Sequence, residues 1–322
     1  MVSVCIVGVY FGEFPNYFEL WLKSAEMNST IDFMIFTDQK YTQLPTNVKL
    51  VNMNIKTMKE LAENKLKFKI SLERPYKCCD FKPAYGLIFE DYLQQYDYWG
   101  HCDFDLIWGD LRYFIQKFEL QKYEKFLSLG HLSLYRNTAR NKKCFMLAGS
   151  SVGDYKKVFQ DEHNFAFDEL DGIYNIYIEN NIPMFSERIF ADISKIYKRF
   201  KLALNDINYD HQIFYWKDGH IYRAFKKDNE ILIDEFMYIH FKERGVMRIN
   251  NINSNSCMFF ITPFGFVGSE DGIISLNIID DMNPFLGKTY EDEELKAYVY
   301  SEKKRLIKSK LKKLFHLKER IR

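Results

Sequence analysis

The chain lacks the features that mark membrane-spanning, exported and metal-cluster proteins. No apolar run approaches the roughly 20 residues that a bilayer-spanning helix needs. The N-terminus has no basic segment and no export cleavage site, so residues 1–10 predict a first strand. The six cysteines have neither the spacing of a zinc site nor the density of a disulfide framework. Reduced thiols in a cytoplasmic protein are the simplest interpretation.

Net charge is also nearly absent. The 45 basic and 44 acidic residues leave a formal charge of +1, which argues against a general nucleic-acid binder. Internal repeats and low-complexity linkers are missing as well. What the chain has is core-forming material, with 47% hydrophobic and 17% aromatic residues among 322. Such a composition excludes a disordered chain and predicts a large buried core.

Apolar runs alternate with helical periodicity in the first third of the chain. Strands are predicted at 3–9, 31–36 and 48–53, and helices at 17–27, 56–69 and 84–95. This alternation predicts an open parallel sheet. In such sheets ligands bind beyond the carboxyl ends of the strands.

The second half of the chain changes character. It predicts strands at 131–136, 143–148, 213–216, 220–225, 235–241 and 258–266, and a helix at 168–180. Lys217-Asp218-Gly219 is a hairpin turn signal. The predicted fold class is α/β, with an open mixed, mainly parallel sheet flanked by helices, an antiparallel extension and a C-terminal helical tail. One domain is expected over 1–290 and the tail over 291–322.

Asp103 and Asp105 flank one aromatic residue at the end of a predicted buried strand. Residues i and i+2 of a strand share a face, so the two carboxylates would repel each other unless a cation or a proton intervenes. The apolar residues around them argue against two solvated loop acids. Hard divalent ions such as Mg²⁺ or Mn²⁺ take oxygen ligands and bridge to substrate phosphates. The pattern therefore predicts metal-assisted chemistry on a phosphorylated ligand.

A longer stretch around this pair resembles glycosyltransferases of the A-type (GT-A, Rossmann-like) fold. The resemblance is carried by residues 79–86 (CDFKPAYG) and 98–110 (YWGHCDFDLIWGD). Asp103-Phe104-Asp105 stands where that superfamily places its Asp-x-Asp motif. Within the superfamily the chain is most similar to bacterial polysaccharide-type transferases, over residues 1–245.

The resemblance implies a nucleoside diphosphate sugar as donor, most often a UDP-sugar, and Mn²⁺ or Mg²⁺ as cofactor. It implies that Asp103 and Asp105 hold the metal against the diphosphate and that His240 is a further metal ligand. Lys242 and Arg244 would then pair with phosphate. His240 and Lys242 are expected to share a strand face by period two. The alternative is a histidine at a strand end beside solvated basic residues.

For the nucleotide, the resemblance implies roles at the ends of the first two strands. Tyr10 and Phe11 would stack on the base, and Thr37 or Asp38 would read its edge or the ribose. Before the next helix, an acid would contact ribose and a lysine would pair with phosphate or the donor sugar; these are Asp80 and Lys82. Alternatively, the aromatic residues cover the sheet edge and Asp80 starts an ordinary helix.

Three carboxylates, Asp168, Glu169 and Asp171, gather at a predicted helix start. In an inverting enzyme one of them would deprotonate the acceptor hydroxyl. In a retaining enzyme an oxygen would instead face the oxocarbenium-like centre. Helix capping is the alternative, since acids are favoured at that position in any case.

Residues 301–322 have the pattern of a basic amphipathic helix. Such a tail is expected to bind an anionic membrane surface, near a glycan or lipid-linked saccharide acceptor. Packing on the protein body or on another subunit is the alternative.

The sequence as a whole predicts a bacterial, cytoplasm-facing glycosyltransferase of surface polysaccharide assembly. Two further interpretations stay open. One is a haloacid-dehalogenase-type phosphohydrolase, whose nucleophilic aspartate normally opens the chain's first strand. The other is an inactive carbohydrate-binding protein of the same fold.

Overall fold

The computed structural model describes residues 1–203, 206–242 and 246–319. These residues form two compact units. The first contains residues 1–191, 216–221 and 235–247, and the second contains the remainder. The chain leaves the first unit after Ala191 and returns to it twice, and the domain over 1–290 stays a prediction.

The first unit is built on a seven-stranded sheet. Its strands are β1 (Val4–Tyr10), β2 (Asp32–Thr37), β3 (Val48–Asn52), β4 (Tyr98–Cys102), β6 (Lys125–Phe126), β7 (Leu132–Arg136) and β8 (Met184–Phe185). The short strand β5 (Leu106–Trp108) is not part of this sheet. The order is β3-β2-β1-β4-β7-β6-β8. The first four strands are mutually parallel, and β7 runs antiparallel to β4 and β6. The mixed, mainly parallel α/β sheet predicted from the sequence is confirmed.

Helices cover this sheet. They are α1 (Phe18–Glu26), α2 (Ile55–Leu66), α3 (Cys78–Phe81), α4 (Tyr85–Ile88), α5 (Glu90–Leu93), α6 (Leu111–Lys117), α7 (Tyr155–Gln160) and α8 (Asn175–Glu179). Cys5 and Val7 of β1 belong to one hydrophobic core, whereas Val4 and Ile6 belong to another. Alternate residues of a strand point to opposite faces, so both faces of the parallel sheet are buried, as its continuous apolar runs predict.

Two element predictions in this unit are wrong. The helix expected over 84–95 is broken into two short pieces, α4 and α5, at Phe89, whose φ of −102° and ψ of 22° are not helical. The strand expected over 143–148 is a 3₁₀ turn, Asn141–Met146. There the Asn141 backbone N–H is bonded to the Thr138 hydroxyl, and the Asn141 amide to the carbonyls of Glu124 and Arg136. These local bonds outweigh the strand propensity.

Beyond β9 (Ala191–Asp192), most of the chain belongs to the second unit. This unit contains β14 (Arg248–Asn250), β15 (Met258–Thr262) and β16 (Gly265–Gly268) and most of β10 (Gln212–Lys217), β11 (His220–Lys227) and β12 (Glu230–Phe236). β13 (Tyr238–His240) belongs to the first unit. The sheet order is β12-β11-β10-β15-β16-β14. Asp218 and Gly219 both have positive φ, which confirms the predicted hairpin between β10 and β11.

Two helices, α9 (Leu276–Met282) and α10 (Lys288–Glu319), follow the strands of the second unit. The first turn of α10 is fixed by Glu291, whose carboxylate pairs with Arg199 and Lys201 at 2.6 Å each. The helical tail is therefore confirmed, and it begins at Lys288. The side chains at 306 and 308–322 lie outside the described part of the chain, so its amphipathic pattern stays a prediction. No helix in the described ranges is both long and apolar enough to cross a bilayer.

Candidate active site

The carboxyl ends of β1, β2 and β4 meet at one edge of the sheet because these strands are parallel neighbours. Asp103 follows β4 directly. The Tyr10 ring, at the end of β1, lies 4.9 Å from that of Phe104. The motif residues and the end of the first strand are therefore adjacent, as a parallel sheet requires.

Asp103 and Asp105 lie in a bend between β4 and β5, and not on a strand face as the sequence suggested. Phe104 between them is buried, with its ring 5.4 Å from Trp21. Gly8 of β1 makes room for that ring, since a Cβ at this position would lie 2.6 Å from Phe104 Cζ. Burial of Phe104 fixes the bend, and both acids keep part of their surface accessible.

His240 joins the two acids through strand pairing. β13 runs antiparallel to β5 and sets His240 opposite Leu106. His240 Nε2 lies 3.2 Å from Asp105 Oδ2. One ligand atom from each of Asp103, Asp105 and His240 lies within 4.8 Å of the others. Two carboxylates and one imidazole are a donor set that suits Mn²⁺ or Mg²⁺, so these residues fit a single divalent ion.

His131, which sequence reasoning missed, lies beside this cluster. Its ring is buried, 4.3 Å from that of His240, and its Nδ1 is 2.9 Å from the Tyr238 hydroxyl. Burial, followed by the charges of His240 and Lys242, lowers the pKa of His131 well below its usual value, which keeps the ring neutral. In the sequence, the only indication of a role for His131 was its position at the start of the strand predicted at 131–136.

Lys82 connects the acid couplet to the second acidic segment. Its buried Nζ donates to Asp103 Oδ1 at 2.6 Å, to Asp168 Oδ2 at 2.9 Å and to the Gly130 carbonyl at 3.0 Å. Burial alone would lower the pKa of Lys82, but Asp103 and Asp168 raise it well above the usual value. An ammonium has three donors, and all three are engaged here. The direct phosphate contact expected of Lys82 therefore has no donor in this arrangement.

Asp80 is fully buried and holds the segment that precedes Asp168. Its carboxylate accepts from the backbone N–H groups of Phe165 and Phe167, at 3.0 to 3.1 Å, and from Lys77 Nζ at 2.8 Å. The predicted ribose contact thus falls on a side chain whose oxygens already bind protein groups. Asp80 supports the site from inside the protein.

Asp168 and Glu169 pack on Gly130, where a Cβ would lie 2.4 Å from Asp168 Oδ2 and 2.9 Å from Glu169 Oε1. Removal from water, followed by the charge of Asp168, raises the pKa of Glu169 to about 7. Asp171, the third acid of the segment, is exposed. The structure therefore brings two of the three predicted catalytic acids to Lys82 and leaves the third at the surface.

The remaining predicted binding residues divide between the interior and the rim. Phe11 is buried in a core, and Thr37 is buried with its hydroxyl accepting from the Gln39 N–H. Asp38 is exposed and accepts from the Gly12 N–H at 3.0 Å, which ties the ends of β1 and β2 together. Tyr10 is half-buried. Of the two aromatic residues, only Tyr10 has a ring that is both partly exposed and next to the motif.

The basic residues after β13 do not continue the strand. Lys242 lies beyond its end with φ of 52°, so the expected strand face shared with His240 is wrong. The charge of Lys242 still contributes to the lowered pKa of His131, so Lys242 lies near the cluster. Arg244, the other expected phosphate ligand, lies outside the described residues.

Asp80→Ala is expected to lower the free energy of unfolding by about 3–5 kcal/mol, because it leaves the Lys77 ammonium buried without its carboxylate. Asp80→Asn retains an oxygen for the backbone N–H groups and should lose less. Urea unfolding followed by circular dichroism measures both. The control is Asp91→Ala, which removes an exposed partner of Lys65 and should cost at most about 1 kcal/mol. Equal losses at positions 80 and 91 would contradict this role.

Glu169 should also give the chain a pH-dependent stability. In the folded chain its carboxyl keeps its proton up to about pH 7, whereas an unfolded glutamate releases it near its ordinary pKa of 4.5. Over that range the folded state binds more protons, so the free energy of unfolding falls as pH rises. Urea titrations between these two pH values should show this fall in the wild type and a flatter dependence in Glu169→Gln. Glu60→Gln, at an exposed position, is the control. Identical slopes in all three proteins would refute the assignment.

Comparison with solved structures finds glycosyltransferases at low similarity. A galactosyltransferase, LgtC, in complex with donor and acceptor sugar analogues matches at 11% identity and a TM-score of 0.33, over 58% of this chain and 75% of that one. Mouse xyloside xylosyltransferase 1 matches at 8% identity and 0.35, over 61% and 89%. The glycosyltransferase GlyE of Streptococcus pneumoniae matches at 14% and 0.34, over 58% of this chain and 46% of that one. These TM-scores are low, so the proposed function has to rest on the site itself.

A search of curated proteins finds no match. One family model does match, over residues 6–270, and its description is a family of unknown function, DUF6625. The match spans the sheet of the first unit, the acid couplet and His240. The chain therefore belongs to the DUF6625 family.

Proposed function

We propose that this chain is a metal-dependent glycosyltransferase that moves a sugar from a nucleoside diphosphate sugar to a glycan or lipid-linked saccharide. One observation carries the proposal: Asp103, Asp105 and His240 converge at the carboxyl edge of the parallel strands, beside the Lys82–Asp168 ion pair. A site of oxygen and imidazole donors at that edge is suited to a metal-bound phosphate ligand. The Asp-x-Asp resemblance in the sequence points to the same chemistry.

Asp103, Asp105 and His240 are the residues that would hold the ion. Because Asp103 Oδ1 accepts from Lys82, its second oxygen is the one suited to a metal. A divalent ion such as Mn²⁺ or Mg²⁺, when bound, would offset the negative charge of the departing diphosphate. Lys242, and Arg244 in the same segment, would supply further positive charge to the phosphates.

The donor nucleotide, for which the sequence resemblance favours uridine, would lie at the ends of β1 and β2. Tyr10 is the residue we assign to base stacking, since Phe11 is buried. Asp38 is exposed next to the Gly12 N–H and would meet the ribose or the base edge. Thr37 would then support the turn from inside the protein.

Glu169 is the acid that we assign to the acceptor hydroxyl. Asp168 is fixed by Lys82 and would position that lysine, and Asp171 is exposed. The pKa of Glu169, raised to about 7, suits a group that accepts a proton near neutrality. In a retaining reaction the same carboxylate would face the oxocarbenium-like centre instead.

The two other functions have less support. A haloacid-dehalogenase-type phosphohydrolase needs a nucleophilic aspartate at its first strand, and residues 1–13, which contain β1, include no aspartate. An inactive carbohydrate-binding protein would not need an acid pair and a histidine brought together from sequence positions so far apart. Activity assays distinguish both from the proposed transferase.

Asp105→Ala is expected to lower turnover by about a hundredfold or more, since it removes one of three groups that would hold the ion. The measurement is release of nucleoside diphosphate from UDP-, GDP- and CMP-sugars, with Mn²⁺ and after chelation by EDTA. Mn²⁺ binding, followed by electron paramagnetic resonance, is the second readout. Asp32→Asn, at the amino end of β2, is the matched control.

Chelation should abolish wild-type activity, and added Mn²⁺ should restore it. Turnover by Asp105→Ala equal to that of the control would place the ion elsewhere. Phosphomonoester hydrolysis without use of any sugar nucleotide would indicate the phosphohydrolase. Sugar-nucleotide binding without turnover would indicate the inactive protein.

We further propose that the basic tail holds this enzyme at the cytoplasmic face of a membrane, where a lipid-linked acceptor of surface polysaccharide synthesis would lie. Residues 301–322 contain many lysines and arginines and only two glutamates. Each basic residue near an anionic leaflet contributes roughly 1 kcal/mol. The helical backbone of α10 is compatible with such a surface helix.

Deleting residues 301–322 should abolish sedimentation with vesicles that contain anionic lipid, because the positive charge is lost. Binding of the full chain should weaken as salt rises, since the attraction is screened. Neutral phosphatidylcholine vesicles are the control. Equal sedimentation of the deleted and full-length chains would reject membrane attachment through the tail.

A further inference from the structure

We propose that the exposed ring of Tyr76 is the surface on which a pyranose ring of the acceptor stacks, next to Asp168 and Glu169. This inference rests on the proposed glycosyl transfer and adds the acceptor subsite to it. The ring stands on a surface segment that buried hydrogen bonds hold rigid.

Tyr76 lies in a 3₁₀ turn, Pro75–Lys77, that is bonded firmly to the segment leading to Asp168. The Ser71 N–H donates to the Phe159 carbonyl at 2.8 Å, and Arg74 Nη2 donates to the Glu162 carbonyl at 2.9 Å. Asn164 Nδ2 reaches the Tyr76 carbonyl at 3.4 Å. Residues 71–80 and 158–169 therefore form one wall, which we call the acceptor wall.

Lys77 and Asp80 brace the acceptor wall from inside. Lys77 is buried, and its Nζ donates to Asp80 and to the Val158 carbonyl at 2.8 Å each. Asp80 in turn accepts from the N–H groups of Phe165 and Phe167. The backbone on which Tyr76 stands is thus fixed by buried charged hydrogen bonds, which are the stronger kind.

On this fixed backbone the Tyr76 side chain is 73% exposed, the largest exposed fraction of any aromatic residue described in the first unit. An exposed ring on a rigid backbone favours binding, because little conformational entropy is lost when a ligand binds to it. Tyr76 lies on one segment of the acceptor wall, and Asp168 and Glu169 lie on the other, to which the first is hydrogen-bonded.

The charges of the site reach the Tyr76 hydroxyl. The pKa of Tyr76 is raised mainly by partial removal of the hydroxyl from water, and to a smaller extent by Cys79, Asp168 and Asp103. The Tyr76 hydroxyl is therefore within electrostatic range of Asp168 and Asp103.

A pyranose matches both parts of this surface. Its C–H face packs on an aromatic ring, and a hydroxyl at its edge can hydrogen-bond to the Glu169 carboxyl, which is only partly buried. An anionic acceptor group would be repelled by the acids of the site, and an alkyl chain would offer the Glu169 carboxyl no hydrogen-bond partner. The chemistry of the acceptor wall thus selects a neutral sugar ring.

Binding can be tested without donor or metal, using the full chain and a panel of methyl pyranosides and short oligosaccharides of glucose, galactose, mannose and N-acetylglucosamine. Saturation-transfer NMR titration reports affinity. Tyr76→Ala should weaken binding of the best panel member by about tenfold, the loss of roughly one aromatic contact. Tyr76→Phe keeps the ring and should stay within about twofold of the wild type. Tyr113→Ala, at an exposed tyrosine on α6, is the matched control.

A second readout separates this inference from the proposed function. With Mn²⁺ and a donor that the wild type uses, Tyr76→Ala should retain donor hydrolysis in water and lose transfer to the sugar. If the wild type uses no donor, the proposed function fails while the binding experiment still reports on Tyr76. Equal binding by Tyr76→Ala and the wild type, or no binding by the wild type to any panel member, would overturn the acceptor subsite.

Discussion

The site depends on one buried ammonium group. Lys82 joins Asp103, on the bend after β4, to Asp168, on the segment before α8, and its third donor fixes the Gly130 carbonyl. These groups are far apart in sequence, and the two acids would repel each other without the cation between them. A charge at this depth is tolerable only when fully paired and hydrogen-bonded, a condition that the three bonds of Lys82 meet. The positions of Asp103 and Asp168 are thus fixed by the hydrogen bonds that the buried Lys82 ammonium needs.

Lys82 does not neutralise the whole cluster. Asp103 and Asp168 share the Lys82 ammonium, Asp105 and Glu169 follow them closely along the chain, and the adjacent His131 is kept neutral by burial. The excess negative charge can be relieved in two ways, by a proton or by a cation. The proton is held on Glu169, whose pKa is raised, on the side of Gly130. On the other side, Asp103 and Asp105 meet His240, which is where a divalent ion fits. The negative charge is therefore offset by a proton on one side of Lys82, and a divalent ion would offset it on the other.

Much of this arrangement could be predicted from the sequence because it follows from local order. The acid couplet comes directly after an apolar strand, and the hydrophobic runs of β1, β2 and β4 indicate a parallel sheet. Strand order then sets the couplet beside Tyr10. His240 could be placed at a strand end by the same reasoning, which β13 confirms. The remaining features depend on contacts between distant segments. Asp80 and Asp103 look alike in the sequence, yet Asp80 accepts backbone N–H groups more than eighty residues away and is fully buried. Residue type and local periodicity carry no information about such partners.

The role of each acid follows from what already occupies its oxygens. Asp80 accepts from two backbone N–H groups and one ammonium, so it has no capacity left for a ligand. Asp110 caps α6 through the Tyr113 N–H, and Asp38 ties two strand ends together. Asp103 accepts from Lys82 through a single oxygen. The acids suited to chemistry are thus those whose bonds within the protein leave an oxygen to offer. Asp103 meets this criterion, whereas Asp80 does not and holds the segment before Asp168 in position.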